Sequence, residues 1–105
     1  MGFLDNKLDI IRREVAAYAK PALTGELSYL VQSEDGKLLS VVDVDISQGY
    51  HSADTGLVAR VTDNHIVIEH DMNDKPLVDA LVQAGIPREK IILAYAGEPV
   101  PEATP

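Results

Sequence analysis

The sequence predicts a single α+β domain in which helices pack on one face of a mostly antiparallel sheet. Short strand patterns follow one another along the middle of the chain, and a helical pattern stands on either side of them. The predicted order is an N-terminal helix, a four-stranded antiparallel meander, a second helix and a C-terminal strand. At 105 residues the chain fits one domain. We expect that domain to span residues 1–99, followed by a proline-rich, extended tail over residues 100–105.

The first element is an amphipathic helix predicted over residues 4–20. Apolar side chains recur at intervals of four and three, which places them on one stripe of a helix. These residues are Leu4, Leu8, Ile11, Val15 and Tyr18. Lys20 precedes Pro21, and the residue before a proline is pushed out of the helical region. We therefore expect the helix to end there and its stripe to face the core.

A β-hairpin is predicted next, with strands over residues 27–34 and 37–46. The dipeptide Asp35-Gly36 lies between them and is a strong turn signal, because glycine readily takes a positive φ. The second strand ends in strict alternation, which is the period of a half-buried strand. Val42, Val44 and Ile46 point one way, and Asp43 and Asp45 point the other.

Two further strands complete the predicted meander. A polar loop is expected over residues 47–54, bent at Gly49, and the third strand follows over residues 55–62. Asp63-Asn64 turns the chain into a fourth strand over residues 65–70. Alternation in that strand places Ile66 and Ile68 on one face and His65, Val67 and Glu69 on the other.

The second helix is predicted over residues 75–84, and individual residues mark both of its ends. Asp74 can cap the N-terminus, and Pro76 stands in the first turn, where a missing N–H costs little. Gly85 is the expected left-handed terminator, and Ile86 is placed to pack back on the helix. The unbroken apolar run over residues 91–95 then predicts a strand covered on both faces.

Charge and composition exclude several classes of function. Nine Lys and Arg face seventeen Asp and Glu, for a net charge of −8, so direct binding to the DNA polyanion is not expected. The chain has no cysteine, which excludes disulfides and Cys-based zinc sites. It shows no signal peptide and no apolar run of about 18 residues. We expect a cytoplasmic protein that does not bind a membrane.

Acidic and imidazole side chains are the remaining candidates for chemistry. Asp43, Asp45, His65 and Glu69 are predicted to share one sheet face, where they could hold a divalent metal in a hydrolase. The simpler interpretation is the solvated side of a half-buried strand, with Arg60 paired to Asp43 or Asp45. No nucleophile elbow, glycine-rich phosphate loop or HExxH helix is present. We therefore expect no enzyme activity, no catalytic residue, no metal site and no cofactor.

Contact residues for a protein partner are predicted instead. Aromatic side chains recur in interface cores, and the loop and tail supply Tyr50, Tyr95 and the neighbouring His51. Asp43 and Asp45 complete the set of predicted contact residues.

The segment from Asn64 to Tyr95 resembles a known family. The pattern is an Ile-x-Ile strand, an Asp, a short helix, a Gly-Ile-Pro-basic-acidic run, an apolar strand and a closing aromatic and proline. Its elements here are Ile66-Val67-Ile68, Asp71, Leu81, Gly85-Ile86-Pro87-Arg88-Glu89, Ile91-Ile92-Leu93, Tyr95 and Pro99. They are similar to those of the XisI-like proteins, known as controlling factors for excision of the fdxN element in cyanobacteria. Three family positions differ, because Val67, Val42-Asp43 and Ala94-Tyr95-Ala96 stand where the family usually has Trp, Gly-Trp and Gly-Phe-His.

The resemblance implies an accessory, regulatory role in DNA rearrangement. XisI-like proteins are usually encoded beside XisH, which resembles endonuclease-fold enzymes, and both are required for excision by a separate recombinase. The hypothesis is that an acidic sheet face, or the loop near Tyr50, docks on a basic XisH-like partner. An open strand edge also offers a route to a homo-oligomer. The alternatives are a structural subunit of an unrelated assembly and the metal-dependent hydrolase.

Overall fold

A computed structural model describes residues 3–20 and 26–101 and shows two helices packed on a five-stranded sheet. The main elements are α1 (Leu8–Ala16), β1 (Glu26–Gln32), β2 (Leu38–Ser47), β3 (Tyr50–Val61), β4 (Ile66–Asp71), α2 (Leu77–Gln83) and β5 (Ile91–Leu93). Short 3-10 turns lie at Phe3–Lys7, Arg88–Lys90 and Ala94–Ala96. Within these two stretches, neither helix has the length and apolar character that crossing a membrane requires.

The sheet confirms the predicted α+β class and the meander. Its strand order is β1-β2-β3-β4-β5; the first four strands pair antiparallel, and β5 pairs parallel with β4. The parallel pairing follows from the intervening helix, because a chain that crosses over one face returns in the same direction. Register shifts lie beside Val41 and Val58, so β3 carries an irregularity on each of its two edges.

The core lies on one face of the sheet, where both helices bury their apolar sides against the central strands. Its residues are Leu4, Ile11, Val15, Leu39, Val41, Leu57, Ala59, Val61, Ile66, Ile68, Leu77, Leu81, Ile86 and Ile91. Full burial of a Leu or Ile side chain contributes about 1.5–3 kcal/mol. The one-sided core therefore dominates the stability of the domain, and the predicted helical stripe does face it.

The first helix is shorter than predicted. A 3-10 turn over Phe3–Lys7 precedes α1, and the α-helix ends at Ala16 rather than Lys20. Beyond Ala16 the backbone tightens into i→i−3 hydrogen bonds, and Tyr18 Oη donates to the carbonyl oxygen of Lys75 at 2.8 Å. This bond fastens the end of α1 beside the start of α2. Pro21, the predicted terminator, lies outside the described residues.

The predicted polar loop over residues 47–54 is wrong, because those residues form the tip of the β2–β3 hairpin. β2 runs to Ser47 and β3 begins at Tyr50, so the turn has two residues. Gln48 has φ 51° and Gly49 has φ 81°, and two positive φ values are what a two-residue hairpin turn needs. Both strands are exposed here, so polar residues suit them as well as they suit a loop. The bend predicted at Gly49 is confirmed.

Helix α2 begins two residues later than predicted, and a different carboxylate caps it. Asp71 Oδ2 accepts the N–H of Leu77 at 2.7 Å. Asp71 Oδ1 accepts the backbone N–H of Asn73 at 3.0 Å and its side-chain amide at 2.9 Å. Pro76 stands at the N-cap, before the first turn. The prediction that Asp74 caps the helix is therefore wrong, because the end of β4 already holds a carboxylate against the first helical N–H.

The C-terminal end of α2 follows the sequence prediction. Gly85 has φ 102° and takes the left-handed conformation. The N–H of Ile86 donates to the carbonyl oxygen of Leu81, and the N–H of Gly85 donates to that of Val82, both at 3.0 Å. These bonds form a Schellman end. Ile86 and Leu81 are both buried in the core.

The last strand is shorter than the predicted run over residues 91–95, because Ala94–Ala96 forms a 3-10 turn. Ile91 and Ile92 are nonetheless buried on opposite faces, as predicted. Glu98 Oε1 accepts the N–H of Leu93 at 2.7 Å, and Glu98 Oε2 pairs with Arg88 Nη2 at 3.2 Å. The Leu93 bond, with Arg88 beside it, lowers the pKa of the Glu98 carboxyl. The Glu98 carboxylate therefore occupies a backbone N–H of β5 that would otherwise be available to another strand.

We expect Asp71→Ala to lower the free energy of unfolding by about 1–2 kcal/mol, the usual cost of losing a helix cap. Asp74→Ala is the matched control and should change it by less than about 0.5 kcal/mol, as surface substitutions do. Urea unfolding of both variants measures the two values. Equal losses would contradict the assignment of the cap to Asp71.

Candidate protein-binding surface

The β2–β3 hairpin projects beyond the other strands and carries carboxylates on one side. β4 pairs with β3 from Leu57 onward, so residues 50–55 of β3 pair with β2 alone. On β2, Asp43 and Asp45 continue the alternation of the buried Leu39 and Val41, which places both on the helix side of the sheet. The apolar residues between them, predicted as the buried side, face away from the helices, and Ile46 is 40% exposed.

Four carboxylates lie on this side as two cross-strand pairs of like charge. In the strand register Glu26 lies opposite Asp45, and Asp43 lies opposite Asp54. We call Glu26, Asp43, Asp45 and Asp54 the acidic patch. Like charges directly opposite each other on neighbouring strands are destabilising. The patch therefore costs stability, which folding alone does not explain.

Two neighbours hold Asp43 in position. Ser28 Oγ donates to Asp43 Oδ1 at 2.7 Å across the β1–β2 pair. Gly56 leaves the space that the carboxylate occupies, because a Cβ on this residue would lie 2.8 Å from Asp43 Oδ2. One oxygen of Asp43 is thus fixed by a hydrogen bond, and the other lies directly over the Gly56 backbone.

A shallow groove separates the acidic patch from the end of α1. It has a volume of about 260 Å³, below the usual range of about 300–1,000 Å³ for sites that enclose small ligands. Its lining includes Tyr18, Lys20, Glu26, Ser28, Asp43, Asp45 and Asn73. The groove has room for a side chain of a partner rather than for a whole substrate.

The tip of the hairpin adds an aromatic residue to this surface. Tyr50 is 79% exposed, the highest value among the large apolar and aromatic side chains of the described residues. His51 follows it and is also exposed. Four of the five predicted contact residues therefore belong to one hairpin: Asp43, Asp45, Tyr50 and His51.

Tyr95 does not belong to this surface. It lies in the 3-10 turn after β5, at the other edge of the sheet. Partial burial raises the pKa of the Tyr95 hydroxyl, and the carboxylates of Asp71 and Asp79 raise it further. Its surroundings are therefore the start of α2, not the hairpin.

The four residues of the predicted metal site are not brought together. Arg60 stands between the buried Ala59 and Val61, so it points away from the helices, and it pairs with Glu69 at 2.6 Å. The prediction that Arg60 pairs with Asp43 or Asp45 is wrong. His65 precedes β4 at the Asp63-Asn64 turn, at the end of the sheet away from the hairpin tip. Across residues 3–20 and 26–101, no three His, Asp or Glu side chains gather as metal ligands would.

Sequence reasoning missed three contributors to the patch: Glu26, Asp54 and Gly56. The predicted loop over residues 47–54 contains Asp54, and the predicted first strand begins only after Glu26. The signal that could have found Asp54 is Gln48-Gly49 taken as a two-residue turn, which pairs residues 50–55 with residues 42–47 of the preceding strand. Gly56 becomes meaningful only when the β2–β3 register shift is known.

Comparison with known proteins identifies the family. A family model described as XisI protein matches residues 1–104. The chain belongs to the XisI family. No curated protein sequence matches it.

Two solved structures share the fold of this XisI family member. One is a XisI-like protein from Anabaena variabilis ATCC 29413, with a TM-score of 0.74 and 17% identity, over 86% of this chain and 84% of that one. The other is the fdxN element excision controlling factor XisI from the same organism, with a TM-score of 0.56 and 21% identity, over 92% and 89% of the two chains. At these identities the likeness shows a common fold.

The like-charge pairs generate a stability prediction. Asp54→Asn should raise the free energy of unfolding by about 0.2–0.5 kcal/mol, because it removes the charge opposite Asp43 while keeping the side-chain shape. Urea unfolding at low salt measures the gain in stability. The gain should shrink at high salt, because salt screens the repulsion between Asp43 and Asp54 in the native chain. Asp63→Asn, at an exposed turn, is the control and should give no gain. A loss of stability in Asp54→Asn would contradict the repulsion.

Proposed function

We propose that this protein is a non-enzymatic controlling factor in the excision of a DNA element, and that it acts in the cytoplasm through protein–protein contacts. The acidic patch and the exposed Tyr50 at the hairpin tip form its contact surface. The partner is a protein with a basic surface, of the XisH-like endonuclease-fold class. The observation that carries the proposal is two like-charge cross-strand pairs: Asp43 with Asp54 within the projecting β2–β3 hairpin, and Asp45 of that hairpin with Glu26 of β1.

Charge supports a protein partner rather than DNA. The net charge of −8 repels a polyanion and attracts a basic surface at a distance. A basic side chain that entered the groove would lie between carboxylates that otherwise repel one another. Binding would therefore relieve repulsion that is present in the free protein. The related structure named as an excision controlling factor supports a regulatory role.

Arrangement of the surface supports contact with a protein rather than with a small molecule. Charges at a protein interface mainly steer the encounter and set specificity, whereas exposed aromatic anchors supply much of the binding energy. The hairpin offers both, because Tyr50 lies at its tip and the carboxylates lie along one side. The residues that hold the fold together lie elsewhere, so this surface can change without loss of the core.

Co-purification with a XisH-like partner tests the proposal. The native chain should form a complex at low salt, and the complex should weaken as salt rises. Asp45→Lys should reduce the affinity at least about tenfold, because it inverts a charge in the patch. This variant should fold normally, because a lysine opposite Glu26 replaces a repulsive pair with an attractive one.

The matched control is Asp63→Lys, which makes the same charge change on an exposed residue outside the patch. It should retain the affinity of the native chain apart from a small general effect of net charge. The proposal fails if the native chain forms no complex at low salt. It also fails if Asp45→Lys and Asp63→Lys bind equally well.

A further inference from the structure

The two edges of the sheet differ in how they are protected. β5 has three residues, and the N–H of Leu93 is already bound by the Glu98 carboxylate. β1 has seven residues, Glu-Leu-Ser-Tyr-Leu-Val-Gln, with no lysine, proline or bulge. Within the described parts of the chain, no strand pairs with its outer side. Soluble proteins usually interrupt or cover such an edge, since its unpaired backbone groups are a template for another strand.

Hydrogen bonding in the β1–β2 hairpin shows which groups face outward. The N–H of Ser33 donates to the carbonyl oxygen of Leu38 at 2.9 Å, so the backbone groups of Ser33 face the second strand of the hairpin. Hydrogen-bonded and non-hydrogen-bonded pairs alternate along an antiparallel ladder. The backbone groups of every second residue therefore point away from β2. These residues are Glu26, Ser28, Leu30 and Gln32.

Side chains of β1 leave an apolar row beside this edge. Leu27, Tyr29 and Val31 are 41%, 51% and 47% exposed, and alternation places all three on the face away from the helices. On the same face the neighbouring β2 presents Val42 and Val44, which are half-buried. The row is therefore continuous with an apolar surface and is not a set of isolated residues.

We propose that β1 of a second copy of this chain pairs antiparallel with β1 across a two-fold axis at Tyr29, joining the two sheets. In this register Tyr29 lies opposite Tyr29 of the second copy, Leu27 opposite Val31, Ser28 opposite Leu30 and Glu26 opposite Gln32. Every outward-facing residue then meets an outward-facing residue, and each such pair exchanges two backbone hydrogen bonds. The seven residues overlap completely.

Charge favours a second copy over a basic partner at this edge. Glu26 is the one charged residue of β1, and it faces the neutral Gln32 of the other copy. The two Glu26 residues lie roughly 20 Å apart along the joined strands, and each acidic patch stays at its own end. The apolar row matches itself, because a two-fold axis brings identical surfaces together. This pairing does not depend on the proposed role in excision.

The response to added salt distinguishes this contact from the contact proposed at the acidic patch. Two copies with a net charge of −8 repel each other over long distances, and Glu26 is the one charged residue that each β1 strand brings to the joined edge. Added salt screens the repulsion, so the dimer should strengthen. A complex between the acidic patch and a basic partner should weaken under the same change.

Sedimentation velocity over a series of protein concentrations tests the pairing, with Ser28→Pro and Ser28→Ala as a matched pair. Both variants lose the Ser28 Oγ bond to Asp43. Only the proline variant also loses an outward N–H, and proline is tolerated on an edge strand where that N–H faces solvent. The native chain and Ser28→Ala should sediment as dimers, and Ser28→Pro should sediment as a monomer at every concentration tested.

Circular dichroism shows whether the Ser28→Pro variant folds. If it does not, a second pair of variants tests the same pairing. Tyr29→Lys places two positive charges together at the two-fold axis and should give a monomer. Tyr50→Lys makes the same change at the hairpin tip and should leave the dimer intact. A native chain that stays monomeric at all concentrations overturns the proposal. So does a folded Ser28→Pro variant that forms dimers as readily as Ser28→Ala.

Discussion

The Asp71 carboxylate is the constraint on which the arrangement of the helices depends. It stands at the end of β4 and accepts hydrogen bonds from Asn73 and from the first N–H of α2. Those bonds determine where the helix starts, and hence that Leu77 and Leu81 reach the core. Tyr18 at the end of α1 is fastened to the same turn through the Lys75 carbonyl. The turn between β4 and α2 therefore fixes the start of α2 through Asp71 and holds the end of α1 through Lys75.

A one-sided helical layer determines which surfaces remain for partners. It covers the central strands and leaves the projecting hairpin and the β1 edge without cover among the described residues. A cross-strand like-charge pair costs a fraction of a kilocalorie, whereas each fully buried Leu or Ile contributes about 1.5–3 kcal/mol. The core is therefore strong enough to carry an acidic patch that weakens its own strands. The two surfaces differ in charge, so they suit different partners.

Features that depend on adjacent residues could be predicted from the sequence. Gly85-Ile86 ends α2 with the expected hydrogen bonds, and Gly36, with φ 74°, turns the first hairpin. Features that depend on distant residues could not. Asp74 is a reasonable cap by its position, but Asp71 is the carboxylate that β4 places against the helix. The α+β class was predictable because each strand and helix has its own periodicity.

For the candidate site, alternation assigned faces within one strand but not between strands. Asp43 and Asp45 were correctly placed together, whereas Glu69 lies on the other face of the sheet with Arg60. Relative faces depend on register, and β3 carries a register shift on each edge. The polar sequence from Ser47 to Asp54 concealed a hairpin, because exposed strands do not need apolar residues. The kinds of residue at the candidate site could therefore be predicted from the sequence, but their arrangement on one surface could not.

Separation of the two contact surfaces is the central claim, and hydrogen–deuterium exchange of the native chain tests it most directly. Addition of a XisH-like partner at low salt should slow exchange in residues 43–54 and leave Leu30 and Gln32 unchanged, because these two β1 residues do not line the groove beside the acidic patch. Raising the concentration of the chain alone should slow exchange at Ser28 and Leu30, whose N–H groups face outward, and leave residues 43–54 unchanged. Protection of Leu30 and Gln32 by the partner, or of the hairpin by self-association, would contradict the claim.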